Sequence, residues 1–343
     1  MLLFLVGRTS AFLSSVKKYA NDSGINFYSV HESYHLDREL KITIPDIKQT
    51  TARNQDESRH YIVIQSHLKH DTYVSALNVA RFIRENMIKP KDNTCLTFCC
   101  PYLSYARNKY LLKILSEQCN RLVAVDIHDT SESNRLFSKL PQSEFLEEDA
   151  EHRSKVHPNV YEHSIAGSTY QEADFREFQK SNIYNLYPAA LFAQKVSDLI
   201  TNFSDVLVVA PDAGAQWRAR KLAQELLVNV VIATKTRCKD GSCNIEIPPF
   251  SNKINTAVIV DDIISSGATI KATLNVLKQR QVGQVILVVA HILSGNIADL
   301  CREVDAIITT DIFDHNYHSS KNIYKVHMAK FIVDNLINMP TIT

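Results

Sequence analysis

The stretch AVIVDDIISSGATI at 257–270 carries the densest chemistry in the chain. A β-branched apolar run ends in Asp261 and Asp262. A loop of Ser265, Ser266, Gly267, Ala268 and Thr269 follows, and a helical pattern is expected over 271–281. Small side chains leave backbone N–H groups and hydroxyls able to close around an anion at a helix N-terminus. Carboxylates at the carboxyl end of a strand stand where ligands bind in open α/β sheets. Together they suit a sugar phosphate, the loop taking the phosphate and the carboxylates the ribose hydroxyls. An acidic pair alone would only cap the next helix. The small-residue loop directly behind it decides for the ligand.

Three further places offer chemistry. Lys235 and Arg237 lie two apart, so on an extended segment they share a face, though unaided they read as part of a solvated basic loop. His128 and Asp212 each follow a strand end, in opposite halves of the chain. Unaided, His128 reads as a hydrogen-bonded structural histidine, and Asp212 as a turn former in PDAG. Seven cysteines complete the inventory. Cys238 and Cys243 have half the spacing of a zinc site, but no second half follows, and reduced structural thiols fit better.

The elements that must position these residues follow from periodicity. Strands are expected at 2–7, 26–30, 40–44, 60–66, 96–100 and 122–127, with a polar turn at 32–39. Helices are expected at 11–19, 73–87 and 105–118, from apolar residues at helical spacing. The second half repeats the rhythm: strands at 206–210, 230–233, 257–260, 285–290 and 306–309, helices at 216–227 and 297–303, and a last strand and helix within 323–337. Residues 235–251 read as a polar loop. Alternation of short buried strands with helices implies doubly wound parallel sheets. FCCPYLSYAR (98–107) and VVAPDAGAQWR (208–218) both run strand, Pro, small turn and a helix entered by an Arg, which suggests duplicated domains. Residues 129–180 are charged and poor in apolar periodicity, so they read as an insertion, part loop and part exposed helix.

At 343 residues the chain suits two domains, each with its own core. Hydrophobic residues make up 45% and charged residues 22%, a soluble balance, and the net charge of +1 gives no nucleic-acid footprint. The apolar start MLLFLVGR meets Arg8 too soon for a signal peptide and reads as a first strand. No apolar run reaches membrane-spanning length. A soluble, cytoplasmic protein is expected.

Several segments, taken in order, resemble one family. YIVIQS (61–66), PYLSYAR (101–107), VDIH (125–128), NIYNLYP (182–188), APDAG (210–214), TKTR (234–237), the 257–270 stretch and AHILSG (290–295) are similar to the ribose-phosphate diphosphokinases, or phosphoribosyl-diphosphate (PRPP) synthetases. The resemblance covers most of the chain outside about 130–180. It implies an α/β fold of two tandem type I phosphoribosyltransferase-like domains, each with a mainly parallel sheet flanked by helices. These would be a nucleotide-side domain at 1–180, with 130–180 inserted, and a domain at 181–343 carrying the PRPP loop. It implies Mg²⁺-dependent transfer of the β,γ-diphosphoryl group of ATP to the anomeric hydroxyl of ribose 5-phosphate, with AMP released. Lys235 and Arg237 match the mobile catalytic loop, whose two cations would stabilise charge on the transferring group. His128 and Asp212 match the metal positions, and Arg107 the ATP site. Asp37 and Glu39 fall near a loop that contacts adenine from a neighbouring subunit. Asp261 and Asp262 would hold ribose hydroxyls, and Ser265, Ser266, Gly267, Ala268 and Thr269 the 5-phosphate. A homo-oligomer, dimer or larger, is implied.

The chain departs from the family in two places. After Arg107 it runs straight into a helix through Asn108, Lys109 and Tyr110, where the family has a longer basic loop. Gly267-Ala268 replaces Gly-Gly, which requires a negative φ at Ala268. Two other readings remain: a phosphoribosyltransferase that consumes PRPP, which would not need the Lys235/Arg237 loop, and a non-catalytic synthetase-like subunit. Retention of Asp261, Asp262, Lys235, Arg237 and His128 speaks against the second.

Overall fold

The computed structural model describes residues 2–6, 10–34, 40–44, 60–65, 70–88, 94–103, 114, 116–127, 176–177, 183–237, 243–250, 254–265, 267–293, 297–313 and 321–339. Two sheets organise them. The first takes β1 (Leu2–Val6), β2 (Phe27–Tyr34), β3 (Leu40–Thr43), β4 (His60–Gln65), β5 (Cys95–Cys99), β6 (Arg121–Val125), β7 (Arg176–Glu177) and β8 (Ile183–Leu186). Their spatial order is β3-β2-β1-β4-β5-β6-β8-β7. The second takes β9 (Val206–Ala210), β10 (Asn229–Ile232), β13 (Thr256–Ile264), β14 (Gln284–Ile292), β15 (Ala306–Thr310) and β16 (Ile323–Val326), in the order β10-β9-β13-β14-β15-β16. Between them in sequence, β11 (Thr234–Arg237) and β12 (Cys243–Glu246) form a separate antiparallel hairpin.

Apart from antiparallel β3 and β7 at its edges, the first sheet is parallel and wound like the second. In both, the second strand lies on one side of the first and the later strands run outward on the other. That shared winding sets β1 opposite β9 and β5 opposite β14, so the local repeat at 98–107 and 208–218, which follows β5 and β9, does not mark equivalent places in the two sheets. The order reverses between β1 and β4 in one sheet and between β9 and β13 in the other. Such switch points open a crevice at the strands' carboxyl ends.

Parallel strands covered on both faces read as apolar runs, and alternate residues serve opposite layers. In β1, Leu3 and Leu5 face a central core while Phe4 and Val6 face an outer one. Helices α1 (Ala11–Asp22), α3 (Ala189–Ser197), α4 (Gln216–Leu226) and α7 (Met328–Ile337) supply the central core between the sheets. The outer face of the first sheet is closed by α2 (His70–Asn86). The outer face of the second is closed by α5 (Ala268–Gln279) and α6 (Ala298–Glu303). The central helices cross over: α3 follows β8 yet packs against β15 and β16, and α7 ends the second half yet packs against α1. There Tyr19 donates to Asp334 at 2.5 Å.

Several boundaries differ from expectation. β2 continues through His31-Glu32-Ser33-Tyr34, where a turn is expected, because those residues pair with β3. Residues 235–251 are not all loop, since the polar β11 and β12 satisfy each other's backbone groups as a hairpin. β8 and α3 have no counterpart in the sequence reading. β8 pairs with β6, so the change of sheet comes after Leu186, a little beyond residue 180. The insertion lies outside the described residues except for β7, and most of the helix expected at 105–118 lies outside them too.

Candidate active site

The carboxyl ends of β9 and β13, the start of α5 and the β11–β12 hairpin converge on one place. After β9, Asp212 caps a short 3₁₀ turn (Ala213–Ala215), accepting from the backbone N–H of Gly214 at 3.0 Å and of Ala215 at 3.3 Å. This is the turn-forming role its sequence context suggests. Its other oxygen, Oδ2, is 3.0 Å from Lys235 Nζ. The same ammonium donates to Thr269 Oγ1 at 2.7 Å. Lys235 therefore joins the hairpin, the Asp212 turn and the small-residue loop at one point. The side chains of Lys235 and Asp212 remain 16% and 29% exposed, open to a ligand.

The loop has the geometry an anion needs. Gly267 takes the position before α5 with φ +73°, and no side chain caps the helix there. Ala268 begins the helix, so its methyl group sits at an ordinary helical φ, and the Gly-Ala pair meets its condition. The N–H groups that point out of a helix's first turn, together with its dipole, favour a negative charge. Ser265 is exposed at the end of β13, whereas Ser266 lies outside the described residues. A Cβ on Gly267 would sit in left-handed backbone and approach Leu300 Cδ1 to 3.0 Å. Gly267→Ala is thus expected to cost about 1–2 kcal/mol of stability. Urea unfolding checks this, and an unchanged midpoint would contradict the left-handed cap.

The two strand-end carboxylates are not equivalent. Asp262 is buried and pairs with the Arg218 guanidinium at 3.3 Å. Asp261 is half-buried, and no ion pair engages it among the described residues; its Oδ1 accepts the Asp262 backbone N–H at 2.9 Å. Burial first, and then the charge of Asp262, push the Asp261 carboxyl well above the usual range, against the pull of Arg218. A ribose hydroxyl or a cation brought to Asp261 would relieve that crowding.

Arg218 was named in the sequence only as the arginine that enters a helix, opposite Arg107 in the local repeat. In the structure it links both halves. Its Nε donates to Asp126 Oδ1 at 2.8 Å, and its terminal nitrogens donate to Gly214 O at 2.7 Å and Ile127 O at 3.4 Å, besides Asp262. Its side chain is 4% exposed and that of Asp126 is 0%. Burial opposes the guanidinium charge, but Asp126, Asp262 and Asp261 outweigh it and raise its pKa above the ordinary value. His291 of β14 makes a second link, with Nε2 2.8 Å from Val125 O, which assigns the ring proton to that nitrogen. Burial lowers the His291 pKa to about 4, so the ring is neutral at pH 7. Its ring packs edge-on to Tyr102 at 4.9 Å, and Phe313 closes the group at 5.1 Å from Tyr102. The carboxyl ends of the two sheets therefore face each other.

Among the described residues no three His, Cys, Asp or Glu side chains cluster closely enough to hold a metal. Asp212 offers a hard, part-exposed carboxylate oxygen, which fits Mg²⁺, an ion that keeps several waters and takes few protein ligands. His128 lies outside the described residues, one position beyond the Asp126–Ile127 turn. Arg107, Asp37 and Glu39 also lie outside them. The backbone of Arg237 ends β11, opposite Cys243. Among the described residues Cys95, Cys99, Cys100, Cys119, Cys243 and Cys301 form no disulfide, and burial pushes Cys119 up to about 12, so it is inert. No helix of the described residues is long and apolar enough to cross a membrane.

Residues 182–315 match the family described as Phosphoribosyl transferase domain. Over 204 residues the chain is 28% identical to the ribose-phosphate pyrophosphokinase of Burkholderia pseudomallei, covering 55% of this chain and 64% of that one. The chain thus matches just under two thirds of that relative's length. A stretch of 95 residues is 36% identical to the ribose-phosphate pyrophosphokinase of Oceanobacillus iheyensis, covering 27% of this chain and 30% of the relative. Among solved structures, the phosphoribosylpyrophosphate synthetase of Mycobacterium smegmatis shares the fold, with a TM-score of 0.67 over 98% of this chain and 97% of that one at 16% identity. The chain is thus similar over part of its length to ribose-phosphate pyrophosphokinases, carries a phosphoribosyl transferase domain at 182–315, and shares the fold of a solved phosphoribosylpyrophosphate synthetase.

Proposed function

We propose that the protein transfers the diphosphoryl group of ATP to the anomeric hydroxyl of ribose 5-phosphate or a related ribosyl phosphate. The products are the 1-diphosphate and AMP. The observation that carries this reading is the position of Lys235, whose ammonium bonds both Asp212 and Thr269. A cation delivered by a hairpin to the junction of a phosphate loop and a metal-type carboxylate suits a reaction among several phosphates. The N-terminus of α5, with Ser265, Ser266, Gly267, Ala268 and Thr269, binds the 5-phosphate. Asp261 and Asp262 line the ribose side, with Asp261 the more open of the two. The sugar's anomeric oxygen forms a bond to the β-phosphorus of ATP, and the bond from that phosphorus to the AMP oxygen breaks. Lys235, with Arg237, stabilises the charge that grows on the transferring group and on AMP.

Asp212 and His128 would hold Mg²⁺ together with substrate phosphates. When bound, Mg²⁺ supplies charge neutralisation that two cationic side chains do not complete. By their match to the family, Arg107, Asp37 and Glu39 belong to the ATP side, in a nucleotide-side domain formed by the first sheet. Self-association into a dimer or larger oligomer and a cytoplasmic location belong to the same reading.

Incubation with Mg²⁺, ATP and ribose 5-phosphate should yield AMP. Formation of ADP, or no turnover with any phosphorylated ribose, would overturn the proposal. The domain match over 182–315 favours a second reading, a transferase that consumes a ribosyl diphosphate. Base-dependent release of pyrophosphate from PRPP, with no AMP formed from ATP, would select it.

A further inference from the structure

We propose that Arg218 is a positioning residue, holding the turn that leads to position 128 in register with the Asp212 turn and the end of β13. This rests on the function proposed above and names the side chain that keeps its two substrate sides together.

The guanidinium is used from several directions at once. Nε bonds Asp126 at 2.8 Å, while its terminal nitrogens bond Gly214 O at 2.7 Å, Asp262 at 3.3 Å and Ile127 O at 3.4 Å. These partners belong to three segments: the turn after β6, the turn after β9 and the end of β13. The first belongs to one sheet and the other two belong to the second sheet. A planar, rigid fork of donors fixes such partners in direction as well as distance, which a lysine does not do.

The turn it grips is itself held in an uncommon shape. Asp126 has φ +45°, left-handed backbone that aspartate tolerates better than most residues. The Asp126 N–H donates to Leu186 O at 2.9 Å, and Asn185 Oδ1 accepts from the Ile127 N–H at 3.0 Å. With Arg218 on the other side, the backbone entering His128 is clamped on both flanks. Buried ion pairs need not stabilise a fold more than apolar residues of the same volume. This network lies where the carboxyl ends of the two sheets meet, beside the Asp212 turn, rather than in the helix-filled core. By occupying Asp262, Arg218 also leaves Asp261 as the carboxylate turned to the acceptor.

The test uses the full chain and begins with the wild type. If the wild type forms no AMP from Mg²⁺, ATP and ribose 5-phosphate, the proposed function fails, and the role given to Arg218 fails with it. If it forms AMP, kcat and both KM values are measured for Arg218→Gln, Arg218→Lys and Asp126→Asn. Circular dichroism checks that each is folded. Misplacement of reacting groups by about an ångström lowers rates on the order of 100-fold. Arg218→Gln should therefore lose about 100-fold in kcat, with KM for ribose 5-phosphate changed by no more than about threefold. Arg218→Lys should recover part of the loss. Combining Arg218→Gln with Asp126→Asn should cost no more than the worse single change, because both break one link. A folded Arg218→Gln with wild-type kcat would overturn the proposal, and so would a loss confined to the ribose 5-phosphate KM or strictly additive losses. If Arg218→Gln does not fold, Asp126→Asn carries the test, since it keeps the shape and removes the charge. About a tenfold loss in its kcat is then expected, and an unchanged kcat overturns the proposal.

Discussion

Replacing Lys235 with alanine is expected to lower kcat by roughly 100- to 1000-fold while leaving ribose 5-phosphate binding nearly intact, the range found when one preorganised charge stabiliser is removed from an active site. Lys235 bonds Asp212 Oδ2 at 3.0 Å and Thr269 Oγ1 at 2.7 Å, so its ammonium stands between the proposed metal carboxylate and the small-residue loop. Of the proposed phosphate loop the lysine reaches the Thr269 side chain, while the left-handed Gly267 and the start of α5 are set by the backbone. Stability should hardly change, because a part-exposed ion pair contributes about 1 kcal/mol or less. Steady-state kinetics and calorimetric titration with ribose 5-phosphate separate the two effects. Collapse of sugar-phosphate binding, or an unchanged kcat, would show that the hairpin serves another purpose.

The second large effect concerns acid. His291 is buried, and that burial is the main cause of its fall from 6.5 to about 4; Arg218 adds to it, while the bond to Val125 O and the charge of Asp262 oppose it. In the unfolded chain the ring titrates near 6.5, so between pH 6.5 and 4 the unfolded state holds a proton that the folded state refuses. Stability therefore falls as pH drops through that window, by about 2 kcal/mol at pH 5 and about 3 kcal/mol in full. His60, lowered to about 4 chiefly by burial, acts in the same direction. Asp261 acts oppositely, because its raised carboxyl takes up a proton more readily in the folded state. His291→Gln can still donate to Val125 O but cannot be protonated. Urea unfolding at pH 7 and pH 5 should show a smaller loss in the variant than in the wild type, by about 2 kcal/mol. Equal losses would contradict the neutral, buried assignment of His291.

The paired parallel sheets were legible because their strands are buried on both faces and read as apolar runs ending in Pro or Asp. The strand–Pro–turn–helix repeat pointed to two similar halves but paired the end of β5 with that of β9, which are not equivalent in the common winding, because such turns recur after many parallel strands. β8 and α3 were not legible. Asn185 interrupts a short strand, and its side chain bonds the Ile127 N–H instead of marking a turn. α3 buries its apolar face against the other half's strands, a partner that its own neighbours in sequence do not reveal. The hairpin escaped because its ladder forms between polar residues, with Ile245 as its main buried contribution.

For the site, the local motif at 257–269 could be read directly, since its chemistry is carried by residue types a few positions apart; Lys235 was singled out only by the resemblance of TKTR to the family's loop. Arg218, Asp126 and His291 could not. Their partners lie far off in sequence, and spacing says nothing about a contact between Arg218 and Asp126. The available signals were indirect: Arg218 stands opposite Arg107 in the repeat, Asp126 sits inside VDIH, and His291 sits inside AHILSG.

The central claim is that a diphosphoryl group, and not a single phosphoryl group, leaves ATP. ATP labelled at its β-phosphorus, supplied with Mg²⁺ and ribose 5-phosphate, tests it most directly. The label should appear on the sugar diphosphate, and the AMP formed in equal amount should carry none. Label retained in ADP, or released as free pyrophosphate without a labelled sugar, would contradict it.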